Sequence, residues 1–313
     1  MGTFLKKMMM NCDEEVDESK IPLTFTAVEA NSSVKLTKIG SPTVDGVQYR
    51  IGTSGGWSPY TIDTVITLAN VGDCVQFQNT LETLGKGFND YAKFVMTGKI
   101  AASGNCMAML NFSKSVSAFA FYKLFNGSHA LVSAPLLPAT SLAERCYNQM
   151  FRECSSLISA PELPATILAD YCYQYMFYRC TSLINAPILP ATTLDNYCYQ
   201  YMFYGCTSLT SAPELPATTL ANYCYYYMFQ GCSSLVNAPE LPATVLADYC
   251  YQYMFNGCTK LNYIKVNFSS WVDNTTNNWV AGVSSTGVFN APSDLPVIVG
   301  NSNVPTGWTV TNN

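Results

Sequence analysis

Pairs of cysteines with seven residues between them return five times along this chain, at Cys146 and Cys154, Cys172 and Cys180, Cys198 and Cys206, Cys224 and Cys232, and Cys250 and Cys258. Thiols at a fixed spacing can cross-link, ligate zinc or act as nucleophiles. The spacing fits none of the short cysteine pairs of zinc sites. Ten of the thirteen cysteines sit at two repeat positions, where a small apolar side chain suits a packed slot. Free, buried thiols are expected, with no metal and no cofactor.

Other chemistry is thinly supported. Gly52-Thr53-Ser54-Gly55-Gly56 matches the Gly-x-Ser-x-Gly nucleophile elbow, but that chemistry needs a strand-to-helix turn and a base, and this segment lies between strand patterns. The only histidine, His129, occupies a turn position of an incomplete repeat, beside Ser128, where the full repeats carry their second cysteine. Glu162, Glu214 and Glu240 recur at one equivalent position and read as a solvated rim. No catalytic residue is assigned, and the chain reads as a non-enzyme.

The elements that hold these residues follow from the period. Ala-Pro recurs every 26 residues from Ala134-Pro135 to Ala238-Pro239, Leu-Pro from Leu137-Pro138 to Leu241-Pro242, and Met-Phe from Met150-Phe151 to Met254-Phe255. Such self-similarity marks a solenoid, whose units are stable only when neighbours cover their apolar faces. Within a unit, Leu168, Cys172 and Met176 fall at i, i+4 and i+8 with Tyr173 and Phe177 beside them, which predicts a short amphipathic helix. An extended Leu-x-x-Ala segment follows and is stopped by proline, which cannot donate to a ladder. One strand and one helix per coil give an α/β solenoid of five full coils and a partial leading coil. Strands pair about 4.8 Å apart and helices pack about 10 Å apart, so the array should curve with its strands on the concave side.

Four segments are expected: an acidic leader over 1–20, a small antiparallel β-sandwich over 21–112, the solenoid over 113–266 and a cap over 267–313. The sandwich rests on alternating or apolar runs at 23–28, 34–39, 47–51, 65–68, 74–78, 94–100 and 107–112. The cap brings in Trp271, Trp279 and Trp308 where the period is lost, and Ala291-Pro292-Ser293-Asp294-Leu295-Pro296 faintly echoes the repeat. In the leader, Cys12-Asp13-Glu14-Glu15 has the form of a mature lipoprotein start without the preceding apolar segment.

Composition narrows the partners. The 313 residues are 49% hydrophobic, only 12% are charged, and the formal net charge is −5. A core is affordable, but the basic footprint that phosphate-backbone binding requires is missing, so nucleic acid is excluded as a partner. No stretch is long and apolar enough for a transmembrane helix.

Phe203-Tyr204-Gly205-Cys206-Thr207-Ser208-Leu209 and Phe229-Gln230-Gly231-Cys232-Ser233-Ser234-Leu235, each followed by a Leu-Pro element, resemble the coils of the BspA-like leucine-rich repeat family. The resemblance covers 121–264. It implies a curved leucine-rich-repeat array on a bacterial surface, associated with adhesion, or a similar module carried by a phage. These coils are a few residues longer than the usual family repeat.

The candidate binding residues are tyrosines. Tyr171, Tyr175 and Tyr178 lie at i, i+4 and i+7, opposite the cysteine stripe; Tyr197, Tyr201 and Tyr204 repeat the pattern, and Tyr223 with Tyr227 and Tyr249 with Tyr253 retain two of its three members. Stacked across coils they would form an aromatic strip suited to sugars or protein contacts; packing between neighbouring coils is the competing role. Ser159, Asn185, Ser211 and Asn237 mark the strand side as a second candidate. The function read from the sequence is a non-catalytic recognition or adhesion module for a glycan or protein on a cell surface, placed at the cell surface or outside the cell. The alternative is a structural virion component whose N-terminal domain docks to other virion proteins.

Overall fold

The computed structural model describes residues 17–313; Cys12 and most of the acidic leader lie outside the described residues. The first eight strands are β1 (Leu23–Ala27), β2 (Ser32–Ile39), β3 (Val47–Ile51), β4 (Ser58–Pro59), β5 (Ile66–Leu68), β6 (Cys74–Asn79), β7 (Tyr91–Thr97) and β8 (Ile100–Ser103). Apolar side chains alternate inward along β2 and β7, as a sheet with one covered face requires. A three-stranded sheet in the order β5-β2-β7 and a larger one containing β4-β3-β6-β1-β8 meet through Phe94 of β7, whose ring lies 4.7 Å from Phe25 of β1 and 5.1 Å from Phe77 of β6.

Two expected strands are corrected. The run 94–100 is divided between β7 and β8, because Gly98 takes left-handed backbone, φ 75°, and turns the chain between them. The run 107–112 falls instead in a 3-10 helix, Cys106–Leu110, whose five residues are all buried, and in the left-handed Asn111 and Phe112 that end it. Its sequence is apolar throughout with no alternation, and the Asn105 side chain caps it by accepting from the Met107 amide at 2.9 Å.

The larger correction concerns the repeat. No α-helix occurs among the described residues, and the expected helix of each coil is a run of tight turns. Every fourth residue of the run is left-handed: Tyr171, Tyr175 and Arg179 in one coil have φ of 59°, 57° and 55°, and Tyr197, Tyr201 and Gly205 in the next have 58°, 57° and 68°. An α-helix cannot contain such residues at this spacing. The amides then divide their work. Those of Cys172, Gln174, Met176, Tyr178 and Cys180 donate to the carbonyl three residues back, whereas those of Tyr171, Tyr173, Tyr175, Phe177 and Arg179 donate to Asn196, Cys198, Gln200, Met202 and Tyr204 of the next coil, at 2.7–3.0 Å. Every backbone donor of the run is thereby satisfied, half of them between coils.

This ladder fixes the spacing of the turn side at that of hydrogen-bonded backbone, about 4.8 Å. The strand side has the same kind of spacing: Ser159, Asn185 and Ser211 bridge in parallel, and β10 (Asn237–Leu241), β11 (Tyr263–Val266), β12 (Val288–Ala291) and β13 (Thr309–Asn312) form a parallel sheet. The difference between strand and helix spacing, on which the expected curvature rested, is therefore absent. Proline limits most coils to single bridges, since Pro161, Pro187 and Pro213 have no amide to give.

A run that repeats every four residues still shows one face inward. Cys172, Tyr173, Met176, Phe177 and Cys180 are all buried, as are their counterparts in the other full repeats. Phenylalanines stack in register from Phe94 through Phe125, Phe151, Phe177, Phe203 and Phe229 to Phe255, with neighbouring rings 5.3–5.8 Å apart. The column begins in the two-sheet region and continues into the coils. The strand ladder crosses the same junction, because β8 pairs in parallel with β9 (Leu131–Ser133).

At the far end the turn run recurs with left-handed Asn274, Asn278 and Gly282, and buried Trp279 extends the phenylalanine column at 6.1 Å from Phe255. Residues 301–303 then cover this run: the Val280 amide donates to the Asn301 carbonyl, the Asn278 amide to the Ser302 hydroxyl, and the Trp279 indole to the Asn303 carbonyl.

The left-handed positions give the fold a diagnostic test. Gln149, with φ 57°, is changed to glycine and to alanine. In a helix alanine would be the more stable by about 1 kcal/mol; at a left-handed position glycine should be the more stable by about 1 kcal/mol or more. Paired denaturant titrations read the sign directly.

Candidate recognition surface

The ten candidate tyrosines emerge on the outer side of the turn run, all half-buried, and the inter-coil ladder sorts them into columns. Tyr171, Tyr197, Tyr223 and Tyr249 stack with ring centroids 4.5–4.7 Å apart. Tyr175, Tyr201, Tyr227 and Tyr253 stack at 4.4–4.8 Å. Tyr178 and Tyr204 form a shorter third column at 4.8 Å. Neighbouring rings in a column are within 12° of parallel. Their faces are turned toward one another, so most of each column offers ring edges and hydroxyls to solvent. Burial, followed by the neighbouring tyrosines, raises the Tyr201 hydroxyl well above the usual phenol range. At Tyr227 burial also comes first, followed by the hydrogen bond that its neutral hydroxyl makes with Tyr226. Both remain protonated donors near neutral pH.

The eight tyrosines of the two long columns are left-handed, with φ between 55° and 59°. Such backbone costs roughly 1–2 kcal/mol for a residue with a side chain. Each stacked pair returns about 0.5–1.5 kcal/mol beyond its buried area, so the columns and the backbone that presents them are energetically coupled.

Several residues of this surface were not singled out from the sequence. Arg145 lies 3.6 Å above the Tyr171 ring and 4.8 Å from Phe88, closing the first column. Arg152 lies 4.8 Å from Tyr178, and Arg179 lies 5.3 Å from the same ring. Between the long columns runs an amide ladder, with Asn148 Nδ2 donating to Gln174 Oε1 at 2.7 Å and Gln174 Nε2 to Gln200 Oε1. Tyr226 occupies the next rung and meets Tyr201, Tyr223 and Tyr253 edge-on. The available signal was positional, since Arg145 and Arg152 occupy the places of Tyr171 and Tyr178 one repeat earlier.

The strand side presents Ser159, Asn185, Ser211 and Asn237, all exposed, beside exposed Ile158, Ile184 and Val236. Glu162 and Glu214 are exposed there, and exposed Glu240 pairs with Lys265 at 3.0 Å. Ser54 lies in an exposed turn after β3 with no helix behind it. His129 Nδ1 is 3.0 Å from the Ser155 hydroxyl. The buried Ser128 hydroxyl donates to the Phe94 carbonyl at 3.1 Å, just as the Cys154, Cys180, Cys206, Cys232 and Cys258 thiols donate to the phenylalanine carbonyls 29 residues earlier.

The described cysteines are free, and the repeat thiols are buried. Burial is the main cause that raises their pKa values, to about 12 at Cys172, Cys206, Cys250 and Cys258. They are inert core groups with no nucleophilic character near neutral pH.

A short coil repeated through a continuous backbone ladder, with stacked aromatic columns on its outer side, defines a β-rich repeat solenoid. The chain belongs to the BspA type leucine-rich repeat family: the family model matches residues 106–235 and 197–301, with six copies of the repeat. A leucine-rich repeat protein from Bacteroides ovatus ATCC 8483, known from a crystal structure, is similar at 15% identity over 64% of this chain and 76% of that one, with a TM-score of 0.30. A search of the curated proteins gave no match. Repeats of this family are typically non-catalytic interaction modules, often associated with surfaces or adhesion. No helix among the described residues is long and apolar enough to cross a membrane.

The raised thiol pKa values set an alkaline limit on stability. An unfolded thiol ionises near pH 8.5, whereas the folded ones hold their protons to about pH 12 at the four positions above. Their stabilising contribution is complete below the unfolded pKa and falls by about 1.4 kcal/mol per thiol per pH unit above it. Under reducing conditions the melting temperature should be level to about pH 8 and fall steeply before pH 10. A level curve through pH 10 would contradict thiol burial.

Proposed function

We propose that this chain is a non-catalytic recognition module that binds a glycan or protein on a cell surface through the tyrosine face of residues 113–266. Residues 21–112 attach the array and residues 267–313 close it, and the module works at the cell surface or outside the cell. The observation that carries this reading is the backbone conformation under the rings. Gly205, Gly231 and Gly257 occupy left-handed positions in the neighbouring column, where glycine is free of strain, yet eight tyrosines hold the same conformation in the two outward columns. Their rings are kept despite the backbone cost, at the surface, where hydroxyls and amides alternate across the coil.

Asparagine tolerates left-handed backbone, so Tyr201→Asn combined with Tyr227→Asn removes two rings with little added strain. Relief at the backbone partly offsets the lost stacking, and stability should change by less than about 2 kcal/mol. Binding of the intact protein to bacterial or host cells, or to arrayed glycans, should fall more than about ten-fold. A loss of several kcal/mol with undiminished binding by the folded fraction would assign the columns to stacking alone and leave the strand side as the recognition face.

A further inference from the structure

We propose that the two-sheet region carries a second binding site, on the outer face of its larger sheet, where Arg50 and Trp57 take a single sugar unit bearing a carboxylate. The site shares no residue with the tyrosine face and goes beyond the function proposed for that face.

Strand alternation assembles the site. Tyr49 and Phe77 belong to the aromatic core, with rings 6.4 Å apart, so Gln48 and Arg50 of β3 and their partners Gln78 and Gln76 of β6 stand on the opposite face. In β4, Ser58 pairs with Tyr49 and Pro59 with Gln48, which sets Trp57 beside Arg50.

Arg50 is a fixed cation without a counter-ion. Its Nε donates to Gln76 Oε1 at 2.7 Å and its Nη1 to the Gly55 carbonyl at 3.4 Å, while the guanidinium lies 4.7 Å from the centre of the Trp57 ring. Gln76 is buried and held in turn, its Nε2 donating to Thr24 Oγ1 at 2.9 Å. No carboxylate stands within ion-pair reach of Arg50 among the described residues. Asp73, at the start of β6, accepts instead from the Asn70 amide and side chain. Three of the five guanidinium N–H groups are left, enough for both oxygens of a carboxylate.

The groups around Arg50 suit hydroxyls. The indole N–H groups of Trp271, Trp279 and Trp308 donate to the carbonyls of Pro296, Asn303 and Ser284, whereas that of half-buried Trp57 donates to no group of the protein among the described residues. Gln78 Nε2 donates to Gln48 Oε1 at 2.9 Å, which leaves a donor on Gln48 and an acceptor capacity on Gln78. A hydroxyl can satisfy both. Gln48 lies two residues from Arg50, about 6.8 Å along the strand, within the span of one pyranose ring and its substituents.

The sheet edge argues against a peptide. β4 is the edge strand, only two residues long, and Pro59 has no N–H to give, so an added peptide strand gains little there. Recognition falls to the side chains.

Methyl glucuronide and methyl glucoside differ in one carboxylate, and titrating each into the intact protein tests the site by the NMR shift of the Trp57 indole N–H, identified by its loss in Trp57→Phe. The glucuronide should bind at least about ten-fold more tightly than the glucoside or acetate, and Arg50→Lys, which keeps the charge but not the fork, should weaken it about ten-fold. Unchanged indole resonances of Trp271, Trp279 and Trp308 show that this variant is folded. Equal binding of glucuronide and glucoside, acetate or an acetylated glutamate peptide as tight as the glucuronide, no shift with any of them, or undiminished binding by Arg50→Lys would overturn the proposal. Tyr201→Asn with Tyr227→Asn should leave the titration unchanged, so the failure of this site and that of the tyrosine face are read separately.

Discussion

Half of the amides in each turn run donate to the next coil, and the rest of this structure depends on that division. To point alternate N–H groups along the array, the chain adopts left-handed backbone at every fourth residue. The result is a coil that repeats in steps of four, satisfies its own turns and binds its neighbour through backbone. Because the bonds are backbone to backbone, side chains of different types can occupy the same rung: Arg145, Tyr171, Tyr197 and Asn274 all do so.

That constraint converts a sequence repeat into columns. Residues 26 apart are held in register, so inward phenylalanines stack from Phe94 to Phe255 and inward tyrosines from Tyr147 to Tyr251. Thiols fill the gaps, and the second one in each coil donates a hydrogen bond to a phenylalanine carbonyl of the preceding coil. The outward tyrosines obey the same register. Their alignment needs no ligand to explain it, but a repeating set of hydroxyls and amides is a consequence that a partner can use.

The sequence revealed the period, the inward stripe and the outward tyrosines, and the structure places Cys172, Tyr173, Met176 and Phe177 inside with Tyr171, Tyr175 and Tyr178 outside. It misdirected the local conformation. Over two turns a period of four is hard to tell from a period of 3.6, so Leu168, Cys172 and Met176 looked helical. Composition held a warning: a run of tyrosine, phenylalanine and cysteine has low helix propensity, and Gly205, Gly231 and Gly257 recur inside the pattern. The cations Arg145, Arg152 and Arg179 escaped notice because each occurs once at its repeat position, so repetition could not mark them. The segment after residue 267 lost the sequence period yet keeps the turn run, because Asn274, Asn278 and Gly282 preserve the left-handed positions while the surrounding residues change.

Through-hydrogen-bond scalar coupling measured by NMR tests the inter-coil ladder most directly. The amide nitrogen of Tyr201 donates to the Tyr226 carbonyl at 2.9 Å, and that of Phe203 to the Met228 carbonyl at 2.9 Å. Couplings from these nitrogens to the carbonyl carbons of Tyr226 and Met228 are the predicted result. Couplings to Tyr197 and Tyr199, four residues back as in an α-helix, would contradict the account.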